Sequence, residues 1–320
     1  MPTRRLWSDG PEVSVVGLGL AALGRPAYIN LGHRDDLAGD VTPDLLRSRA
    51  HAVLDRARSL GITYFDAARS YGAAEQFLGS WLDARGIGSA DVTVGSKWGY
   101  VYVADWRMDA ETHEVKIHTV ENLDRQLTET RARLGSHLDL YQIHSATLHS
   151  GVLDDDAILD RLARLRATGV ALGLSVSGPD QPATIRKALR AERDGRRLFD
   201  TVQATWNLLE PSSGPALAEA AEAGLGVIVK EAVANGRLAG RDEAVSDRMG
   251  EGDLPTDALA IAAALAQPWS KVVLSGASTT GQLDQNLRAL DVSGSDLEGL
   301  QELAEAPDEY WQHRAELDWT

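Results

Sequence analysis

The chain has 320 residues, 43% hydrophobic and 25% charged, with no cysteine and a formal net charge of −15. The absence of cysteine excludes a disulfide framework and a thiol nucleophile, and the negative charge argues against nucleic acid or an anionic membrane as a partner. No apolar run approaches the roughly 18 residues of a membrane span, and the first ten residues lack a signal-peptide pattern. We therefore expect a cytoplasmic protein.

The first predicted element is a strand over residues 13–20. It contains Gly17-x-Gly19-x-x-Ala22, a pattern that binds dinucleotides when a helix follows it directly. Pro26 and other loop-forming residues follow instead. This favours the first strand of a barrel over a Rossmann turn.

Helices and strands alternate along the rest of the chain. Thr42 and Pro43 predict the start of a helix, as N-cap and first helical residue. This alternation, with short glycine turns, is typical of a parallel sheet with crossover helices. We predict an α/β fold, a (β/α)8 TIM barrel forming a single domain over residues 1–320. Helices are predicted at 43–59, 73–85, 118–134, 154–167, 181–193, 213–223, 256–266 and 280–290.

The chain changes character after Asn286. Residues 292–305 are expected to form a last helix, and about 305–320 a C-terminal loop or tail. This tail carries Trp311 and Trp319 among charged residues. We expect them either to cover the barrel or to wall a pocket.

Four polar residues stand at or just beyond strand ends. Asp66 ends the predicted strand 62–65, and Tyr71 follows five positions later. Lys97 ends the next strand and His144 a later one. Alone, each has an ordinary structural explanation, such as a helix cap or a solvated charge. Because these strand ends converge on one face of a parallel barrel, together they predict an active site.

The segments around these residues resemble the aldo-keto reductase family, from about Val13 to Asn286. The resemblance lies in Phe65-Asp66-Ala67-Ala68, Tyr71-Gly72, Ser96-Lys97 and Asp139-Leu140-Tyr141-Gln142-Ile143-His144. It implies reduction of an aldehyde or ketone to an alcohol by hydride transfer from a nicotinamide. It also implies that Tyr71 is the proton donor, that Lys97 lowers its pKa, that Asp66 orients Lys97 and that His144 positions the carbonyl oxygen.

The resemblance implies contacts to the nicotinamide as well. Ser175 and Gln203 match residues that hold the carboxamide, with Val176 where an asparagine is usual. Lys230 stands where the family commonly stacks an aromatic ring on the nicotinamide. The alkyl stem of a lysine can also lie on a ring.

A last segment resembles the part of the family that binds the adenosine phosphate. It contains Ser278, Gln282, Gln285 and Asn286, with Gln282 where many members have an arginine on the 2′-phosphate. Arg241 remains as a cation for that phosphate. We therefore expect NADP(H), with NAD less favoured and a weaker preference than is usual in the family.

Trp98, Tyr100, Trp106 and Trp206 predict an aromatic wall for a small-molecule carbonyl substrate that is flat or sugar-like. Loops 20–36, 99–116 and 305–320 are expected to line the pocket. No metal is expected, because one histidine and one aspartate are too few ligands for zinc. The substrate and the oligomeric state stay open.

Two other functions remain possible for the same barrel. One is a cofactor-binding regulatory or scaffold subunit that resembles the potassium-channel β subunits. The other is an isomerase or dehydratase without a nicotinamide. Fold alone does not decide between them.

Overall fold

Eight parallel strands form a closed barrel in the computed structural model, which describes residues 1–37, 42–249 and 253–319. The strands neighbour one another in chain order, and β8 closes the barrel on β1 through Val273 and Val16. The predicted (β/α)8 barrel is confirmed. The strands are β1 (Val16–Gly19), β2 (Tyr64–Asp66), β3 (Thr93–Trp98), β4 (Leu138–Ala146), β5 (Ala171–Val176), β6 (Thr201–Thr205), β7 (Gly226–Lys230) and β8 (Val272–Ser275).

A principal helix follows each barrel strand, and the predicted caps form. Thr42 accepts a hydrogen bond from the backbone N–H of Leu45 at 3.3 Å, and Gly86 ends the second principal helix with a left-handed φ of 61°. Within the described part of the chain, no helix is both long and apolar enough to cross a membrane. The principal helices are Pro43–Ser59, Ala74–Arg85, Val120–Leu134, Asp156–Arg166, Gln181–Leu189, Gly214–Glu222, Thr256–Leu265 and Thr280–Leu287.

The predicted strand 13–20 divides into two elements. Glu12–Ser14 pairs antiparallel with Thr3–Arg5, and β1 begins only at Val16. The chain turns at this point because the Ser14 hydroxyl donates a hydrogen bond to the carbonyl of Val16 at 2.7 Å. The hairpin packs Leu6 into a cluster with interior barrel residues. It therefore covers the end of the barrel opposite the predicted site.

Short hairpins replace parts of two other predictions. The predicted loop 99–116 contains the antiparallel strands Tyr100–Tyr102 and Glu114–Lys116. The predicted helix 181–193 ends at Leu189, and Glu192–Arg193 then pairs with Arg196–Arg197. These pairings join residues that a helical period does not relate, so the sequence pattern does not indicate them.

The end of the chain also differs from the prediction. Two 3₁₀ turns, Gly294–Leu297 and Leu300–Leu303, replace the expected helix 292–305. The expected tail 305–320 contains an α-helix, Pro307–Glu316, and Thr320 lies outside the described residues. This helix buries Tyr310 and Trp311 against the core. Its apolar face is too short to give a clear helical period. Two further short α-helices are His33–Leu37 and Glu243–Met249, and short 3₁₀ or π turns occur at Gly135–His137, Ala234–Gly236, Arg237–Arg241 and Arg288–Asp291.

Gly79 offers a test of the helix packing. A glycine-to-alanine change in a helix usually stabilises it by up to about 1 kcal/mol. At Gly79 an added methyl group would collide with the carbonyl oxygen of Arg133 on the neighbouring helix. We therefore expect Gly79→Ala to lower the free energy of unfolding by about 1–3 kcal/mol, measured by urea denaturation. Gly281→Ala is the matched control, because an added methyl group there meets nothing within 4 Å. A Gly79→Ala variant as stable as the control would contradict this packing.

Candidate active site

A buried ion pair joins the ends of two neighbouring strands. Asp66 is the last residue of β2, and Lys97 lies on β3 beside it. The Lys97 ammonium donates hydrogen bonds to Asp66 Oδ2 and, at 3.0 Å, to the carbonyl of Ala67. The side chains of Lys97 and Asp66 are 0% and 3% exposed. Such a pair is stable only when further hydrogen bonds satisfy its remaining groups.

The second oxygen of Asp66 receives those bonds. Oδ1 accepts from the side-chain amides of Gln203 at 3.0 Å and Gln142 at 3.3 Å, and from the Tyr64 hydroxyl at 3.4 Å. Gln203, which was predicted to bind the cofactor, lines the cavity described below but commits its amide group to Asp66. Donors from four strands thus fix the Asp66 carboxylate.

Tyr71 lies in the loop after β2, above this ion pair. Its ring centroid is 5.0 Å from the Lys97 ammonium and 5.4 Å from the His144 ring, which meets it edge to face. Burial raises the pKa of Tyr71, and the Asp66 and Glu114 carboxylates raise it further. The pKa of Tyr71 therefore lies above its ordinary value, because burial and these two carboxylates prevail over the lowering that was predicted from Lys97. Tyr71 keeps its proton.

His144 is held in its neutral form. Burial lowers its pKa well below the usual value, and the cations Lys97, Arg25 and Lys230 lower it further. Its Nδ1 lies 3.4 Å from the Ser70 hydroxyl. A neutral imidazole with one ring nitrogen engaged by a hydroxyl keeps the other available to a ligand.

Arg25 supports Tyr71 from the loop after β1, and the sequence did not indicate this role. Its guanidinium lies 5.3 Å from the ring centroid of Tyr71 and 4.8 Å from that of Trp319. It also pairs with Glu114 at 2.6 Å and donates to the carbonyl of Ser70 at 3.1 Å. Arg25 is the one charged residue in the stretch 20–32, which is the signal that could have identified it.

Lys230 and Glu231 follow one another at the end of β7. Lys230 donates to the Thr205 hydroxyl at 2.6 Å, and burial lowers its pKa to about 8. Glu231 receives two hydrogen bonds from Arg314, at 2.9 and 2.5 Å. Burial disfavours the Glu231 carboxylate, but Arg314 and Lys230 outweigh it and lower the pKa.

Sequence reasoning missed Glu231 and Arg314 for different reasons. Glu231 directly follows a strand, which is the signal that identified Asp66. Arg314 lies in the C-terminal helix Pro307–Glu316, and nothing local to it indicates a partner 83 residues away.

The residues predicted to hold the adenosine end mostly bond to one another and to two carboxylates. Gln282 caps its own helix by accepting from the Thr279 N–H at 3.3 Å, and it also accepts from the Ser278 N–H at 2.9 Å. Gln285 and Asn286 donate to Asp257 at 2.9 and 3.0 Å. These side chains belong to the segment that follows β8.

Arg241 and Ser175 stand apart from the cavity wall. Arg241 is 39% exposed and pairs with Asp36 at 2.8 Å. Ser175 is fully buried, and its hydroxyl accepts a hydrogen bond from the N–H of Ser145 at 2.8 Å. The cavity is lined instead by Ser145, near the end of β4, and by Ser177, which directly follows β5.

A cavity of about 540 Å³ opens at the carboxyl ends of the strands. Each of the three loops predicted to line it contributes to its wall, for example through Arg25, Tyr100 and Trp319. The predicted aromatic wall is wrong for three of its members, of which Trp206 is buried and packs edge to face on Trp269. Trp98 is fully buried in the core outside the barrel, and the half-buried Trp106 packs against that core.

The cavity extends from the predicted catalytic residues to the segment after β8. Tyr71 and His144 line one part of it, and Gln282 and Asn286 line another. Its volume lies in the range of cofactor sites. The buried side-chain oxygen of Asn235, which also lines it, has no hydrogen-bond partner among the described residues. An extended ligand with hydrogen-bond donors therefore fits this cavity. No group of three or more metal-ligating side chains occurs in the parts of the chain that the structure describes.

Comparisons with known proteins agree with this arrangement. The model of the Aldo/keto reductase family matches residues 38–305. The chain is 26% identical over 267 residues to D-threo-aldose 1-dehydrogenase of Pseudomonas sp, which covers 78% of this chain and 77% of that protein. It is 23% identical over 317 residues to the uncharacterized oxidoreductase YqkF of Bacillus subtilis (strain 168), with 90% and 91% covered.

The holo form of aldo-keto reductase AKR11C1 from Bacillus halodurans has the same fold. It aligns with a TM-score of 0.73 at 23% identity, covering 98% of this chain and 99% of that one. A putative aldo-keto reductase from Pseudomonas aeruginosa aligns with a TM-score of 0.64 at 24% identity, with 89% and 92% covered.

The ion pair between Lys97 and Asp66 can be tested through stability. Lys97→Met leaves the buried Asp66 carboxylate without its cation, and we expect it to lower the free energy of unfolding by about 3–5 kcal/mol. Adding Asp66→Asn removes the unpaired charge and should restore part of this loss. Urea denaturation of both variants measures the difference. Equal stability of the single and the double variant would contradict the assignment of the loss to a stranded charge.

Proposed function

The chain belongs to the aldo/keto reductase family, and from this premise we propose that it reduces an aldehyde or ketone to an alcohol, with NADP(H) as hydride donor and Tyr71 as proton donor. Family membership makes it an oxidoreductase of carbonyl compounds. One observation carries the finer proposal: Tyr71, His144 and the Lys97–Asp66 pair meet at one cavity. Such a group suits the transfer of one proton to a carbonyl oxygen.

The proton comes from the Tyr71 phenol. When bound, a reduced nicotinamide supplies the hydride that forms the new C–H bond. The phenol O–H bond breaks as the O–H bond of the alcohol forms, and a tyrosinate remains. The Lys97 ammonium, 5.0 Å from the ring centroid, stabilises that anion, and a proton from water restores the phenol. The raised pKa of the resting Tyr71 keeps the donor protonated until substrate binds.

His144 orients the substrate in this proposal. Its lowered pKa makes it a neutral hydrogen-bond donor rather than an acid. With the Ser70 hydroxyl donating to Nδ1 across 3.4 Å, Nε2 would carry the proton. A hydrogen bond from Nε2 then fixes the carbonyl oxygen and polarises the C=O bond.

The cofactor would lie along the cavity, from the part lined by Tyr71 and His144 to the part lined by the segment after β8. Gln203 and Lys230 would contact the nicotinamide, and Gln282 and Asn286 the adenosine end. Members of the family generally use nicotinamide cofactors. NADP(H) rests on the resemblance and on Arg241, and Gln282 in the usual place of an arginine makes the preference over NADH weak.

A polyhydroxylated carbonyl compound is our candidate substrate class. The cavity wall combines aromatic rings, such as Tyr28 and Trp319, with charged groups such as Glu114, and sugars bind well to such surfaces. The Pseudomonas relative is named for an aldose. Aldoses therefore belong in a first panel of aldehydes followed at the NADPH absorbance.

The scaffold-subunit alternative keeps one observation in its favour. Lys230 occupies the place of the stacking aromatic and binds Thr205, which departs from the pattern of active members. Nicotinamide binding without turnover of any aldehyde in the panel would select this alternative.

Tyr71→Phe tests the proton donor. The change removes the hydroxyl and retains the ring that packs on Arg25 and His144. We expect kcat to fall by roughly 10²–10⁴-fold, with cofactor affinity nearly unchanged in fluorescence titration. In the double variant with Lys97→Met, the two losses should be far from additive, because both residues serve one proton transfer. A Tyr71→Phe protein that reduces its best aldehyde at nearly the wild-type rate would disprove this role.

Lys230→Tyr tests the nicotinamide side of the cavity. The ring restores the stacking partner usual in the family, and Glu231 keeps its pairing with Arg314. We therefore expect cofactor affinity equal to or above that of the wild type, with turnover retained. Titration and steady-state rates measure the two properties separately. Lost turnover with unchanged cofactor affinity would instead assign Lys230 to the substrate.

A further inference from the structure

Asp36 joins three segments of the barrel mouth. It lies in the short helix His33–Leu37, between β1 and the first principal helix. Its Oδ1 accepts a hydrogen bond from Arg241 at 2.8 Å, and its Oδ2 accepts one from the Gln282 side chain at 2.7 Å. The Asp36 side chain is 11% exposed. Both of its partners are residues that the sequence assigned to the cofactor phosphate.

Of these residues, Gln282 lines the cavity, in the part that the proposed function assigns to the adenosine. This step rests on the proposed function, in which the nicotinamide must lie beside Tyr71 for hydride transfer. A dinucleotide that starts there and follows the cavity reaches Gln282 and Asn286 with its other end. Because Asp36 binds Gln282 directly, its carboxylate would lie behind the residue that would contact the adenosine ribose, which carries the 2′-phosphate in NADPH and a hydroxyl in NADH.

The charges at this end disfavour a phosphate. Arg241 already neutralises Asp36, and its guanidinium is packed against the backbone of Gly32. A second carboxylate, Asp257, lines the same part of the cavity and receives hydrogen bonds from Gln285 and Asn286. A bound 2′-phosphate would add nearly two negative charges beside the carboxylates of Asp36 and Asp257. A ribose hydroxyl brings none, and carboxylates accept hydrogen bonds from it in other dinucleotide sites.

We propose that Asp36 is a specificity-determining residue that weakens the binding of NADPH relative to NADH by holding Arg241 and by its own charge. NADPH binds at the cost of breaking the pairing between Asp36 and Arg241. NADH binds without that cost. The protein therefore accepts both cofactors with similar affinity.

Dissociation constants for NADPH and NADH, measured side by side by fluorescence titration, test this inference. In the wild type we expect the two constants to differ by less than about tenfold. Asp36→Asn keeps the shape of the side chain and removes its charge. We expect it to shift the ratio toward NADPH by at least about tenfold, a change of 1.4 kcal/mol, mostly through tighter binding of NADPH.

Asp284→Asn is the matched control. Asp284 lies on the same helix as Gln282, but it pairs with Arg56 on the exposed surface at 2.7 Å. This control should leave the ratio of the two constants unchanged. Unchanged NADH affinity in Asp36→Asn also shows that the variant has folded.

A double variant tests the part played by Arg241. If the freed arginine binds the phosphate, Asp36→Asn with Arg241→Met should lose most of the gain in NADPH affinity. Retention of the whole gain in the double variant, or a ratio in Asp36→Asn within about twofold of the wild type, would overturn the inference. If the wild type binds neither nucleotide, the proposed function fails, and this inference fails with it.

Discussion

The buried pairing of Lys97 with Asp66 is the constraint on which the rest of the site depends. Two opposite charges without access to water require donors and acceptors on every side, and Gln203, Gln142 and Tyr64 supply them. This requirement fixes the side chains that project from four strands at the barrel mouth. Tyr71 remains a phenol because burial and the nearby carboxylates raise its pKa. His144 remains an uncharged imidazole because burial and the neighbouring cations, among them Lys97, lower its pKa. The two charges of the pairing thus act on different groups at the barrel mouth.

The sequence predicted the residues at strand ends well, because the end of a strand is a local signal. Asp66, Lys97 and His144 could be placed on one face once the alternation of strands and helices had indicated a parallel barrel. The same reasoning failed for Trp98, although it is adjacent to Lys97. Neighbouring residues of a strand point to opposite sides, and since Lys97 points into the barrel, Trp98 must point into the core outside it.

Other features depend on contacts between distant parts of the chain. The sign of the Tyr71 pKa shift depends on burial and on Glu114, which lies in a hairpin that no period in the sequence indicates. The pairing of Glu231 with Arg314 joins β7 to the C-terminal helix. Arg25 pairs with Glu114, which lies 89 residues further along the chain. Each pairing is decided by where the backbone returns to the mouth, so pattern and spacing alone do not reveal it.

Three of the four predicted catalytic residues come from a different kind of structure than the cavity wall, and the fourth, Tyr71, lies in the loop after β2. Asp66, Lys97 and His144 belong to strands whose hydrogen bonds also close the barrel, whereas Arg25, Tyr100 and Trp319 come from segments outside the barrel strands. Changes in those segments can alter which molecules enter while the barrel and the side chains at its strand ends stay intact. A gene of this kind can therefore diversify the ligands of its cavity through its loops over evolutionary time.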